Sequence, residues 1–357
     1  MILPTINYDK LLKSVYKILG LPDEDDDNFT DAVEHLKQLE TMSYILLITR
    51  RGYSQNLNQP IAIKLTIYNN LFRLIAILLF TRIIIGTLLP DSDYQTLIAN
   101  PLTETHDQEK LIIYITISLI IGWILREYII YTEERGKFIL PYNRINKLIN
   151  RPCNRNYLKS NRKVYTCFTK LSIRTIRTSF LLMILCVIGI RANNSKVFSS
   201  SSLFISSCFW IIIEIIVYSL GPISIISKFF SLLNVMLIYY FNLNSLNRLC
   251  ESCIKRKVNR FYVMRSINFK IIQFMNEIDC FYRNCKYTFF GLLFYGSMYG
   301  AFEIFLGLID PIISIEFSRT LGLCGMSIYS FAGFAGYLSS GFHSKVRERK
   351  YHRTCNI

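Results

Sequence analysis

The stretch Asn234–Cys253, NVMLIYYFNLNSLNRLCESC, decides how this chain is read. It begins as membrane-grade apolar sequence and ends as a polar, basic helix pattern, with no Gly or Pro between the halves. A single helix therefore runs out of an apolar environment and continues into water. The expected fold is all-α: a multi-pass transmembrane helical bundle with long cytoplasmic helix extensions.

Working outward, the other apolar residues are clumped. They make up 51% of the 357 residues, barely above the roughly 45–50% of an ordinary globular chain. Runs near the ~20 residues that span a bilayer recur at Leu71–Pro90, Leu111–Tyr131, Ile176–Arg191, Leu203–Leu220, Phe229–Leu243, Tyr287–Ile309 and Leu321–Phe342. The N-terminal MILPTINYDKLLKSVYKILG lacks the apolar core and small-residue ending of a cleaved signal.

The net charge of +16 invites a nucleic-acid reading, but its distribution excludes one. Basic residues concentrate between Arg135 and Arg177, from Arg248 to Lys286, and from Lys345 to Arg353, while the segment 91–109 carries Asp91, Asp93, Glu104, Asp107 and Glu109. This is the positive-inside pattern, in which short Lys/Arg-rich loops stay cytoplasmic. An even number of crossings must separate the two long basic loops, so Leu203–Leu220 and Phe229–Leu243 are read as one element kinked at Gly221-Pro222. Six spans result, roughly 71–90, 110–131, 174–191, 203–245, 286–309 and 319–341. Both termini are then inside. The chain divides into a cytoplasmic segment 1–70, a bundle 71–342 with inner helical extensions at 244–285, and a basic tail 343–357. The sequon Asn28-Phe29-Thr30 lies on the inner side in this topology.

Past Phe241 the apolar residues fall at Leu243, Leu246, Leu249/Cys250, Cys253/Ile254, Val258 and Phe261. A second set at Ile267, Ile271, Phe274, Ile278, Phe281 and Cys285 alternates steps of four and three, a narrow helix-packing stripe. Two long helices returning on each other near Lys255–Tyr262 satisfy both sets. An amphipathic helix lying on anionic lipid is the other reading. Cys250-x-x-Cys253 with Cys280-x4-Cys285 has loose zinc-like spacing and no nearby His. The cysteines are therefore read as packing residues, and neither metal nor cofactor is expected.

No catalytic constellation is present: His35, His106, His343 and His352 are scattered, and no phosphate-binding Gly loop occurs. An enzyme is not expected. Charges at membrane depth are more informative, because each costs at least ~2.5–3.5 kcal/mol to insert. Arg82 in LLFTRIIIG and Glu214 in WIIIEIIVY fall at similar depth and form a candidate charge pair, with Glu303 near the same level. Tyr114, Trp210, Glu214 and Tyr218 are candidate ligand-pocket residues, of the mostly apolar kind that small molecules favour. Gly296-x-x-x-Gly300 and Ala332-x-x-x-Gly336-x-x-x-Ser340 put small residues on one face of the last two spans, which lets helices approach closely.

Several stretches resemble the insect-type gustatory and odorant receptor superfamily. SVYKILGLPDE is similar to the Leu-Gly-Leu-x-Pro opening that precedes the first span. FWIIIEIIVYSLGPISIISKFFSLLNVMLIYYFNLNSLNRL resembles the fourth helix, whose inner end carries an aromatic, then Leu-Asn and another Leu, here Phe241, Leu243, Asn244 and Leu246. INFKIIQFMNEIDCFYRNC resembles the approach to the fifth, with Asn276 before Phe281. The seventh-helix marker, Thr-Tyr followed by Gln-Phe, is absent, as is a seventh apolar span. The resemblance implies a plasma-membrane chemosensory receptor, a subunit of a ligand-gated cation channel. Its partners would be the bilayer, a small-molecule ligand and further subunits, in a homo- or hetero-oligomer that is tetrameric in that superfamily. The ligand site would lie in the outer half of the bundle. The ending at Ile357 is read either as a truncation or as a six-span relative, and because the seventh helix lines the pore in that superfamily the chain by itself is not expected to conduct ions. The competing reading is a non-channel multi-pass protein, a transporter component or membrane scaffold.

Overall fold

The computed structural model describes residues 29–49, 51–54, 58, 60–88, 108–150, 162–192, 201–255 and 261–309, with helical positions at 319, 322–323, 325–326, 328–330, 332–333, 336–337 and 340. The elements are α1 Phe29–Ile45, a 3-10 turn Gly52–Ser54, α2 Ile63–Leu88, α3 Gln108–Glu134, α4 Ile139–Asn150, α5 Arg162–Ala192, α6 Ser201–Leu220, α7 Pro222–Lys255, α8 Phe261–Ile304 and a π-helical turn Phe305–Ile309. The protein is all-α, with no strand among the described residues. Two stretches among them, Ile63–Ile85 and Phe204–Leu246, are long and apolar enough to cross a membrane. The basic tail 343–357 lies outside the described residues.

Helix α7 is the hub. It packs against α1, α3, α4, α5, α6 and α8, and Phe230, Leu232, Leu233, Val235, Ile238 and Tyr239 along it are fully or almost fully buried. The main core gathers these with Leu36 and Leu39 of α1, Phe138, Tyr142 and Ile145 at the start of α4, and Phe274, Ile278 and Phe281 of α8. A second cluster joins Phe72, Ala76 and Leu79 of α2 to Ile213 and Val217 of α6.

Helices α6 and α7 form one kinked rod. The Gly221 amide donates to the Val217 carbonyl at 2.9 Å and the Ile225 amide to Gly221 at 3.3 Å. The ladder therefore passes through the Gly-Pro pair, and Pro222 contributes only a missing donor and a bend. At the far end of α3 the chain turns sharply. The Lys137 amide reaches back to Thr132 at 3.2 Å and the Gly136 amide to Glu133 at 2.9 Å, with Gly136 at φ 70°. This left-handed cap needs a residue without Cβ strain and lays α4 across one end of the bundle. Helix α1 ends in the same hydrogen-bond pattern, Leu47 amide to Tyr44 and Ile48 amide to Ser43, both at 3.0 Å. Here Leu47 takes φ 56°, a conformation costly for a branched side chain.

Three expectations change. Residue 70 falls inside α2, which starts at Ile63, and α1 shares the main core, so among the described residues the boundary at 70 cuts a helix and α1 belongs to the bundle. The basic region from Arg135 to Arg177 is largely helix, as α4 and the first turns of α5. Of the small-residue faces, Gly296 opposes Ala332, and a Cβ on Gly300 would meet the Gly325 carbonyl at 3.0 Å, but Gly336 faces open space. Close approach therefore involves Gly325 in place of Gly336.

The α7 and α8 extensions pack side by side. Tyr239 stands 5.7 Å from Phe274 and 5.2 Å from Phe281, ring to ring. Ile267, Phe274, Ile278, Phe281 and Cys285 are buried, Ile271 and Leu246 half-buried. Arg144 of α4 pairs with Glu277, which also accepts the Tyr239 hydroxyl at 3.1 Å. Burial pushes the Cys285 thiol up to about 12.

Two predictions follow from this packing. Phe281→Ala costs about 3–5 kcal/mol, and Phe274→Asp or Ile278→Asp abolishes folding by placing a charge in the stripe. Phe269→Asp, at a position 68% exposed, is tolerated; size-exclusion profiles and melting curves of the purified protein read the difference. Cys285 resists maleimide at pH 8 until denaturant is added, measured by mass spectrometry.

Candidate functional site

Buried charge is concentrated in three tiers between α2, α3 and the α6–α7 rod. The tier farthest from α4 joins Arg82 of α2 to Glu214 of α6. An Arg82 Nη donates to a Glu214 carboxylate oxygen at 2.6 Å, with the side chains 6% and 8% exposed. The guanidinium also lies over the Trp210 ring, 4.2 Å from its centroid, which adds a cation–π attraction. Trp210 and Glu214 are one turn apart on α6, so a single helix face supplies both the ring and the carboxylate.

The middle tier is built on Arg126 of α3. This fully buried guanidinium donates to Asn69 Oδ1 at 2.9 Å and to Glu127 at 2.8 Å, and covers the Phe72 ring at 4.4 Å. Arg73 of α2 takes the other side of Glu127. Trp123 stacks on Phe72 at 5.3 Å and meets Phe80 edge-on at 6.1 Å, so aromatic rings line the path from this tier toward the first.

The third tier sits against α4. Lys228 of α7 pairs with Glu133 at the end of α3 and donates to the Tyr142 hydroxyl at 2.6 Å. The Lys228 ammonium also stands 3.5 Å from the Phe138 ring centroid. Burial and the facing Glu133 carboxylate hold the Tyr142 phenol well above its ordinary range, so it stays protonated beside the pair.

At ~1.5 Å per residue, Glu133 to Arg126 along α3 is about 10 Å. Lys228 to Glu214 along the α7–α6 rod is about 21 Å. The first and third tiers thus lie about 21 Å apart along the bundle, with the Arg126 tier between them. Each positive group has a carboxylate partner within its own tier. That matters because an unpaired buried ion is far more costly than a pair.

The structure brings Arg82, Glu214 and Trp210 together. Tyr218, one turn beyond Glu214, is half-buried on the same helix. Tyr114 lies on α3, but its side chain is outside the described ones. Glu303, read at the same depth, stands apart on α8 beside Gly325, with its Oε2 unpartnered among the described residues. The free thiols Cys280 and Cys285 lie on α8, while the side chains of Cys250 and Cys253 are outside the described ones. Sequence reading missed the Glu133–Lys228–Tyr142 and Arg126–Asn69–Glu127 groups. The signal for the first was Lys228 itself, a cation interrupting an apolar run.

Neutralising one member of a tier strands its partner. Arg82→Gln or Glu214→Gln alone costs about 3–5 kcal/mol, and exchanging the two charges recovers part of it. Purely additive effects in thermal melts of the four proteins would show the two residues to be uncoupled. By the same logic Lys228→Met with Glu133→Leu is better tolerated than Lys228→Met alone.

Compared with known protein families, characterised proteins and solved structures, the chain matches none.

Proposed function

We propose that this chain is a multi-pass membrane protein of the insect-type chemosensory receptor kind, a subunit of a ligand-gated cation channel in the plasma membrane. The observation that carries the reading is the inverted polarity of the bundle. Arg82, Arg126, Glu133, Glu214 and Lys228 are buried, while Ile67, Leu71, Leu74, Ile77, Leu78, Leu181, Leu185, Ile205, Phe209, Ile212, Phe290 and Phe294 face outward. An ordinary water-soluble surface does not present apolar side chains in continuous rows along several helices. Hydrocarbon does accept them, and it drives ionisable groups inward, where they mark ligand or ion pathways.

The charge distribution of the loops supports an inside position for the α4 end. The lengths of α7 and α8 fit the same arrangement. At ~1.5 Å per residue their 34 and 44 residues measure about 50 and 65 Å, well beyond a hydrocarbon core of ~30 Å. The excess forms the paired inner extensions. The Arg82–Glu214–Trp210 tier then lies in the outer half and is the proposed ligand-contacting group. A bound ligand competes there for a guanidinium, a carboxylate or an indole face.

Two experiments test this. A glycosylation tag inserted after Asp93 is modified while native Asn28 is not; modification at Asn28 overturns the topology. In cells co-expressing the chain with receptor-type subunits, and with surface labelling as control, a panel of sugars, amines and alkaloids evokes cation current, whereas the chain by itself passes none. Trp210→Ala reduces the response to the active compound at least tenfold without loss of surface protein. Surface-expressed chain that assembles with such subunits yet leaves their response to every compound unchanged sinks the channel reading.

A further inference from the structure

Helix α5 carries six cations, Arg162, Lys163, Lys170, Arg174, Arg177 and Arg191, and no Asp or Glu. Its buried face, Tyr165, Phe168, Ser172, Ile173 and Ile176, meets α1 and α7. Its outward face changes character within one turn: Lys163, Arg174 and Arg177 are exposed, and the next outward residues are Phe180, Leu181, Leu185 and Ile188. Arg174 and Arg177 are one turn apart and form no ion pair among the described residues. The bundle thus neutralises its buried cations tier by tier, while these two, at the edge of an apolar row, have no carboxylate partner among the described residues.

The packing places this edge at one level with a second one. The Asn234 amide donates to the Ser172 hydroxyl at 3.4 Å, which ties α7 to α5. Tyr239, five residues farther along α7, lies against Phe281 of α8. Five residues back along the antiparallel α8 is Lys286, level with Ser172. There Arg283 and Lys286 are exposed, Lys286 lies over the Tyr287 ring at 4.6 Å, and exposed Phe290 and Phe294 follow. The same sequence of cation, aromatic, then lipid-type residue occurs on both helices at the same height.

We infer that Arg174 and Arg177 of α5 form a binding stripe for the headgroups of anionic phospholipids in the inner leaflet, with Arg283 and Lys286 of α8 contributing to the same belt. The inference rests on the membrane reading above. Two guanidiniums one turn apart offer forked donors that match phosphate and carboxylate oxygens. The apolar row that begins at Phe180 accommodates the acyl chains of the lipid whose headgroup they hold. A bare anion would gain only the first contact, and a protein partner would have to cover the apolar row as well.

The test uses the full chain purified in neutral detergent and titrated with fluorescent phosphatidylserine or phosphatidylcholine. Wild type prefers phosphatidylserine. The preference falls about fivefold for each cation neutralised, so Arg174→Gln/Arg177→Gln loses roughly 25-fold. Lys37→Gln, an exposed cation on α1, loses nothing, and Arg174→Lys/Arg177→Lys retains most of the preference. If the double Gln variant does not fold, the wild-type preference must still collapse as salt is raised. An unchanged preference in the folded Gln variant, a salt-insensitive preference, or equal competition by inositol hexakisphosphate overturns the inference. Alkaline carbonate extraction of cell membranes separates the two failures: an extractable chain removes the membrane reading, whereas a retained chain without lipid preference removes only this stripe.

Discussion

Three elements meet where Lys228 contacts Glu133 and Tyr142. The contact joins the hub helix α7, the end of α3 and the start of α4, all in the main core. An ammonium there is tolerable only with a carboxylate against it and a phenol and an aromatic face around it. Meeting that demand constrains backbone far from Lys228. Helix α3 must end where Glu133 reaches α7, and Gly136 must then turn the chain at once. Phe138 and Tyr142 can arrive on the other side of the ammonium only from the helix that follows.

The same constraint repeats along the bundle. Arg126 draws Asn69 and Glu127 into one group, and Arg82 draws Glu214 and Trp210. Each tier crosses between elements far apart in sequence, so the tiers set the vertical register of α2, α3 and the α6–α7 rod against one another. Apolar side chains are poor at this, because a Leu row slipped by one turn still packs. A guanidinium displaced by one turn, about 5.4 Å, loses its carboxylate altogether. Buried charge here serves register, which is the best-attested use of buried polar groups.

The long α7 and α8 extensions follow a different rule. Their stripe is apolar and aromatic, with Tyr239 between Phe274 and Phe281, and an ion pair, Arg144–Glu277, closes its edge. The remaining positions are largely polar, which is why this half shows a clear amphipathic period. The apolar half of the same helices has no such contrast, and the hydropathy of α6 is nearly uniform around its circumference.

Several features were legible from residue order alone. The all-helical class follows from long apolar runs without strand alternation. The α7 and α8 stripes follow from their four–three spacing, and the Gly221-Pro222 bend from backbone chemistry. Even the Arg82–Glu214 juxtaposition was accessible, because two isolated charges at equal depth in apolar helices have few other partners. What residue order could not supply was any pairing across elements whose relative height was unknown. Glu133 and Lys228 are separated by the whole of α4, α5 and α6. Tyr142 lies in a region that reads as a basic loop, because its helix is short and its apolar face is only a few residues wide. The docking of α1 into the core was hidden for a related reason: a helix with charges on most of its circumference reads as solvated until the surface it covers is known. Local periodicity specifies which side of a helix is dry. Only the folded chain decides which dry sides meet and at what height, because that is settled jointly by the charges of the three tiers finding their counter-ions at once.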